Sequence, residues 1–552
     1  MKFLLQKNNK FQKNLILFIF FGFFFIIGSN IFNQYGVSID EGQLRDLGFI
    51  TLNYIYEFFP QLKLDLVKDI PASANLQEWH SKDHGAFIET LFAFIESFFN
   101  IEESKYQFLF RHYLCFFIFF ISIYFFYLIV NFRYDDWRIS LLGCIFLILS
   151  PRIFAESFYN TKDLVFMSLF TISLYCCLKF IYKPTFKHAI TFAMTSGLAT
   201  DVRVMGIMLP FLTILFLLFL SLRNKKFITK NLNVILLFLF LTPFFIILFW
   251  PYLWTNPINN FFQAFKNFSS YWFDIKSLYL GNYINASKVP WHYPIVWISI
   301  TTPILYIILF ISGFYISSIR FIKRLLNMDE TKELNDLWRG SKEMIDLMII
   351  LCFFSPIFLV ILLNSTLHDG WRHLYFVYPS FLLLSIYGYD QISKKIKRAK
   401  KNFFHLSFLL LVVMLLVINL INMIKIHPYQ NVYFNYLAGK KPEKNFTVDY
   451  WGLSNKQALE LILLDENKES YKIYPASNTD LYLSSLIFSE KDKEKIKIVF
   501  DKNTADYIIS NGIFWGGNPK DDFAKIPNNF ILFDTIKSGR TAVVSIFKKK
   551  NN

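Results

Sequence analysis

The sequence predicts a polytopic α-helical membrane protein of about 11 spans, followed by a C-terminal soluble α/β domain. Three observations lead there. Apolar runs close to the ~20 residues that cross a bilayer recur through most of the chain before residue 425. The loops between them alternate between Lys/Arg-rich and Lys/Arg-poor, as the positive-inside rule demands. Beyond residue 425 the long apolar runs stop, and short strand-like stretches alternate with a helical one.

The composition narrows the classes. With 54% hydrophobic residues and 68 Phe, the chain is too apolar to be a soluble enzyme. The formal charge of +16 would suit nucleic acid, but many of its Lys and Arg lie in short loops beside apolar runs, where they set topology and meet anionic lipid. The five cysteines lie in or beside apolar runs, and none falls in the polar C-terminal part, so no disulfide framework is expected there. The first apolar run is long and lacks a small-residue cleavage site, which argues against a signal peptide.

Taken in order, Lys2, Lys7, Lys10 and Lys13 precede a first span at about 14–33. The segment 34–106 is polar and mixed, punctuated by Pro60 and Pro71. Within it, 86–99 is too short and too charged to span and reads as an interfacial helix. Spans follow at about 107–130, 137–150 and 164–181. The run 188–222 reads as two short spans broken at Asp201-Val202-Arg203, because charges there cannot face lipid. A span at about 231–250 precedes a Trp/Tyr/Pro-rich interface segment, 251–293. Further spans are expected at about 294–318, 345–363, 374–390 and 403–424.

If residues 1–13 are cytoplasmic, so are the basic loops 131–138, 183–187, 223–230, 320–343 and 391–401. The other face then holds 34–106, 150–163, 201–203, 251–293, 364–373 and everything after 425. Residues 1–424 thus form the membrane domain and 425–552 an extracytoplasmic one. In the latter a helix is expected at 454–465, with strands near 471–475, 496–500 and 505–510. A hairpin, 529–536 and 541–548, turns at Ser538-Gly539-Arg540.

Polar residues gather on the outer face. Asp40 and Glu41 follow the first span; Arg152, Glu156, Asn160, Lys162 and Asp163 lie in 150–163; Asp201 and Arg203 emerge beside them, with His368, Asp369, Arg372 and His373. Any one of the cations taken alone reads as a snorkelling anchor, but Arg152, Lys162, Arg203 and Arg372 together suit the phosphate of a lipid head group. Glu156, Asn160, Asp163 and His373 stand beside them as substrate-binding candidates. His80, Asp83 and His84 have metal-ligand types, and an exposed, solvated group is the other reading; a divalent metal is optional here. There is no Gly-rich phosphate loop, G-x-S-x-G elbow or C-x-x-C pair, which points to a donor carried in the membrane.

The acidic pair after the first span, Pro-Arg-Ile-Phe-Ala-Glu-Ser-Phe-Tyr-Asn-Thr-Lys-Asp at 151–163, Asp-Val-Arg-Val-Met-Gly at 201–206 and Arg-His-Leu-Tyr-Phe-Val-Tyr-Pro at 372–379 resemble the GT-C glycosyltransferases. The branch is the bacterial one similar to protein mannosyltransferases and to the aminoarabinose lipid A transferase; His427–Asn435 and Asp449-Tyr-Trp-Gly452 also look like stretches of bacterial members. The resemblance covers roughly residues 14–452. It implies inverting transfer of a hexose or pentose from a polyprenyl-phosphate donor to a lipid-, glycan- or protein-linked acceptor hydroxyl, outside the cytoplasm at the bacterial inner membrane. Asp40 stands where the family's catalytic carboxylate lies, and Arg203 and Arg372, with Lys162 or Arg152, would hold the phosphate. Glu41 would orient the base, bind the sugar, or serve only as a first-turn acid. The tail is unlike the β-trefoil insert of eukaryotic protein mannosyltransferases, and no feature marks a protein acceptor. The rival class is a transporter or flippase of a polyprenyl-linked saccharide, which usually shows matching interrupted helices in two halves; only 201–203 is interrupted in that way.

Overall fold

Apolar side chains at helical spacing, running for 20 residues or more, leave the backbone no partner in hydrocarbon except itself, so they fold as long helices. In the computed structural model, residues 2–64, 74–223, 225–269, 274–326, 338, 340–465 and 468–550 are described. Pro71 and much of the basic loop 320–343 lie outside them. Long helices stand at α1 (Lys2–Ile31), α4 (Ser104–Tyr134), α7 (Asp163–Tyr182), α9 (Met208–Arg223), α10 (Lys225–Phe249), α13 (Ile304–Leu326), α14 (Gly340–Leu362) and α16 (Asn402–Lys425).

Among the described residues, eight helical stretches are long and apolar enough to cross a membrane, or nine if α5 (Trp137–Ile148) and α6 (Pro151–Tyr159), bent by 70° about Ser150, form one span. The expected number of about 11 is therefore not established. The two remaining expected spans are helices that fall outside this set: α8 (Phe186–Val202) is short, and α15 (Tyr378–Arg398) ends in a run of Lys and Arg.

The helix α8 stops at Arg203, whose extended backbone (φ −146°, ψ 126°) breaks the run before a short 3-10 turn leads into α9. This is the break expected at 201–203. Asp201 caps a neighbour: Phe87 N donates to its Oδ2 at 3.1 Å. Gly85 permits that approach, since a Cβ there would fall 1.6 Å from the Asp201 carbonyl oxygen.

The described residues of 34–106 hold more helix than their mixed composition suggests. A helix not expected from the sequence, α2 (Ile39–Phe58), packs along α3 (Phe87–Phe98). The latter lies where an interfacial helix is expected, and its acids face inward: Glu89 and Glu96 are buried, while Leu91 and Phe98 are exposed. Arg45 donates to Glu96 from Nε and Nη2 (3.0 and 2.5 Å), and Arg111 reaches Glu96 (3.2 Å) and Glu89 (2.6 Å). Burying four charges is tolerable only because they satisfy one another. On the cytoplasmic side expected for these helix ends, Asp346 is held by Arg133 (2.6 and 2.8 Å) and Arg320 (2.7 Å).

The segment 251–293 contains structure that the aromatic composition hid: α11 (Pro257–Ser269) and a hairpin of β1 (Lys276–Tyr279) and β2 (Asn282–Asn285), before α12 (Tyr293–Thr301). After α16 the chain makes α17 (Ser454–Asp465), β3 (Tyr471–Pro475), α18 (Leu481–Ser485), α19 (Glu490–Lys495), β4 (Ile496–Ile498), β5 (Tyr507–Ser510), β6 (Phe530–Ser538) and β7 (Thr541–Lys549). The sheet order is β4-β3-β5-β7-β6, with β3 parallel to both β4 and β5 and β7 antiparallel to both neighbours. The expected strands are thus present with ends moved by a few residues, and Gly539 takes the positive φ (+59°) at the hairpin turn. A mostly helical membrane body with a sheet-bearing C-terminal region is the predicted fold class.

The buried Arg45–Glu96–Arg111–Glu89 group yields a test. Glu96→Ala leaves two buried guanidinium groups short of a counter-charge and should cost about 3–5 kcal/mol. A fall in the thermal unfolding midpoint of the purified protein, larger than that of Leu91→Ala on the exposed face, checks it.

Candidate active site

The helix α2 begins immediately after Ser38, so Asp40 and Glu41 sit in its first turn, where carboxylates are favoured by the helix dipole. Successive helical residues diverge by about 100°, and the two acids part company. Glu41 turns inward, is 1% exposed, accepts from Ser38 N at 2.5 Å and lies 2.8 Å from His112 Nε2. Asp40 turns outward, with 38% of its side chain exposed.

The second component is the turn between α6 and α7. Pro151 opens α6, and Asn160 closes it by accepting from Lys162 N (3.2 Å) and Asp163 N (2.6 Å). Asn160 Nδ2 bonds Glu156 (2.8 Å) and, more loosely, Asp163 (3.4 Å). Glu156 also accepts from Tyr375 OH (2.7 Å) and Tyr450 OH (3.2 Å). These bonds fix Asp163 at the N-terminus of α7, aimed at two arginines.

Arg203, at the break after α8, pairs with Asp163 through Nη2, and its guanidinium lies 5.7 Å from the Phe268 ring. Arg372, in the 3-10 turn Arg372–Val377, sends Nη1 to Asp40 (2.8 Å) and Asp163 (3.3 Å) and stacks 4.7 Å from the Trp451 ring. Next to it, His368 Nδ1 is 2.8 Å from Asp369 Oδ2, and the rings of His368 and His373 meet edge to face at 4.8 Å. Burial raises the Asp369 carboxyl, but the His368 hydrogen bond and the charges of His368 and Arg372 outweigh it and hold it below the usual range. Desolvation, then the positive neighbours, push His373 well below its ordinary value.

Several of these groups border one cavity of about 1570 Å³. Asp40, Lys162, Arg203, Arg372 and His373 lie on its wall, with apolar Met208, Phe211 and Leu363 on another stretch. Desolvation, reinforced by the Arg203 charge, lowers Lys162 to about 7. The Nε atoms of Arg203 and Arg372 are buried without a hydrogen-bond partner among the described residues.

The structure therefore brings Asp40, Lys162, Arg203, Arg372 and His373 together and sets other candidates apart. Glu156, Asn160 and Asp163 stand behind the wall and position what faces it. Glu41 is an internal cap. Arg152 is not brought to the cavity: it donates to the Tyr433 carbonyl (3.2 Å) and lies 4.8 Å from the Phe434 ring. His80 and His84 border the cavity, but Asp83 is turned to Asn267 (2.8 Å) as well as His84 (3.3 Å). Among the described residues no three His, Cys, Asp or Glu side chains are grouped to hold a metal ion. Burial and the Lys162 charge bring His84 down to about 4.

Two contributors were quoted in the sequence without a role. Trp451 stacks on Arg372, and its carbonyl accepts from Ile39 N at 3.1 Å, one residue before Asp40. Tyr450 bonds Glu156. The signal was Asp449, whose buried carboxylate accepts from Ser454 N (2.9 Å) and Oγ (2.6 Å) and so fixes the backbone that delivers both aromatics.

A contrast between the two neighbouring acids follows. Glu41→Ala removes a helix cap and the partner of buried His112 and should lower stability by about 1–3 kcal/mol, whereas Asp40→Asn should cost less than about 1 kcal/mol. Thermal unfolding of the two purified variants checks the order.

Residues 91–250 match the family model for dolichyl-phosphate-mannose-protein mannosyltransferases. No curated protein matches the sequence. Among solved structures, the chain is similar to the oligosaccharyltransferase AglB from Archaeoglobus fulgidus, solved with an inhibitory peptide and a dolichol-phosphate. There the TM-score is 0.46 and the identity 10%, over 86% of this chain and 66%, just under two thirds, of the archaeal one. It is also similar to ArnT from Cupriavidus metallidurans, solved with undecaprenyl phosphate, with a TM-score of 0.44 and 11% identity over 96% of this chain and 97% of that one. The family match takes in the turn from Arg152 to Asp163 and Arg203, and it bears out the relationship expected from the motifs, to the protein-mannosyltransferase-like branch of the GT-C glycosyltransferases.

Proposed function

We propose that this protein is a membrane glycosyltransferase that moves a sugar from a polyprenyl-phosphate donor to an acceptor hydroxyl, with inversion, at the extracytoplasmic face of the bacterial inner membrane. Residues 1–424 would form the catalytic membrane domain and 425–552 an extracytoplasmic one. The observation that carries the reading is the placement of Asp40, a partly exposed carboxylate, on a cavity wall that also bears Lys162, Arg203 and Arg372. The family model over residues 91–250, named for a dolichyl-phosphate-linked donor, supports the same substrate class.

In this mechanism Asp40 takes the acceptor's hydroxyl proton as the oxygen bonds to the anomeric carbon and the bond from that carbon to the phosphate oxygen breaks. The polyprenyl phosphate leaves as a monoester dianion, whose second pKa is about 6, so near neutral pH it needs positive charge more than a proton. Arg372 and Arg203, which border the cavity, supply it, with Lys162 beside them. Arg372 Nη1 is shared between Asp40 and Asp163. A phosphate competing for this guanidinium loosens its hold on Asp40 and frees a carboxylate lone pair for the acceptor proton. Donor binding then prepares the base.

Two measurements test this. Single-turnover transfer from a defined polyprenyl-phosphate sugar should fall about 10²–10⁴-fold in Asp40→Asn while donor affinity is kept. Normal turnover in that variant sinks the assignment. The second is pH dependence. Lys162 is charged below pH 7 and loses its proton above it, and phosphate binding favours the charged form. Affinity for the sugar phosphodiester, whose own charge is constant here, should be level below pH 7 and decline above it, and Lys162→Met should flatten this profile.

A further inference from the structure

The cavity is larger than the ring of charges around Asp40. Its far wall is built by the C-terminal region: Asn478, Asp480, Tyr482, Glu490 and Trp515 border the same space as Arg372. Two contacts hold this wall against the membrane body. Leu483 in α18 lies so close to α2 that a Cβ on Gly42 would stand 3.1 Å from its Cδ1, two residues beyond Asp40. At the start of α4, Ser104 Oγ donates to the Leu486 carbonyl at 2.9 Å. The wall is thus fixed beside the proposed base.

The chemistry of the two walls differs. Around Arg372 the cavity presents Lys162, Arg203 and Arg372. The far wall presents the exposed ring of Tyr482, the amides of Asn478 and Gln43, and the carboxylates of Asp480, Glu102 and Glu490. The one cation among them, Lys493, is paired with Glu490 at 2.7 Å. An aromatic face flanked by amides and carboxylates matches a polyhydroxylated ring, which offers C–H faces for stacking and O–H donors at its edge. It opposes a phosphate, because its carboxylates repel a like charge.

Resting on the glycosyltransferase reading above, we infer that the Asn478–Leu486 segment, with Glu102 and Trp515, forms the acceptor subsite and takes a saccharide without phosphate, uncharged or amino-bearing. Tyr482 stacks on the sugar ring and Asp480 accepts from its hydroxyl groups. The cationic pole is thereby left to the donor's phosphate, and the charge difference between the walls keeps donor and acceptor from exchanging places.

The experiment uses the full-length protein in nanodiscs and saturation-transfer NMR with three probes: maltotriose, a chitosan trimer, and maltotriose carrying one 6-phosphate. The first two should bind, and the phosphorylated one about tenfold more weakly. Tyr482→Ala should weaken maltotriose binding by about tenfold, and Asp480→Lys should narrow the gap between the phosphorylated and plain trisaccharides. Undecaprenyl phosphate affinity, measured on the same samples, should not change in Tyr482→Ala and should fall in Arg372→Gln. Equal binding of the phosphorylated and plain trisaccharides overturns the inference, as does unchanged maltotriose binding in Tyr482→Ala or failure of all three probes to bind. If undecaprenyl phosphate does not bind the unaltered protein while saccharides do, the donor reading fails and the saccharide subsite stands.

Discussion

Asp163 is the carboxylate on which the site depends. Its two oxygens take Arg203 on one side and Arg372 on the other, side chains from parts of the chain 169 residues apart (372 − 203). Two guanidinium groups facing one cavity repel, and without an anion between them they would splay into the surrounding apolar side chains. Asp163 is itself fixed by Asn160, which Glu156 holds in turn. The turn between α6 and α7 is therefore the clamp, and the bend before α6 is what brings a helix end, not a helix side, to the arginines.

The same economy of position separates Asp40 from Glu41. Both are acids in the first turn of one helix, and composition treats them alike. A helical step turns Glu41 toward His112, where it completes a cap and satisfies a buried imidazole. That leaves Asp40 as the acid whose geometry can change when a ligand arrives. Its partner Arg372 has an alternative carboxylate in Asp163, so releasing Asp40 does not strand a buried charge.

Much of this was legible in the residues. Long apolar runs announced the helices, the break at Asp201–Arg203 followed from charges that hydrocarbon cannot hold, and the gathering of Asp40, Lys162, Arg203 and Arg372 followed from the charge pattern of the loops. What stayed hidden depended on tertiary partners. The helix α2 carries Arg45 and Asp46 in its middle, so its pattern reads as a polar segment until Glu96 neutralises Arg45. Arg152 lies only ten residues before Lys162 in sequence, yet its side chain goes to a carbonyl and aromatic rings and not to the cavity. No periodicity distinguishes these cases, because the deciding partner is 51 residues away for Arg45 and 281 for Arg152.

The C-terminal sheet is joined to the site by the same kind of long-range bond. Ser538 and Arg540, at the β6–β7 turn, bond the carbonyls of Tyr429 and Asn435 in the segment leaving α16. Asn435 in turn donates to the Ser299 and Thr302 carbonyls at the end of α12, both at 2.7 Å. From there Asp449 fixes the start of α17, and the backbone between delivers Trp451 to Arg372 and to Ile39. The sheet, the ring beneath Arg372 and the first turn of α2 are thus joined by one series of contacts. Asp40 lies between those two points, which makes the C-terminal region part of the frame that sets its position.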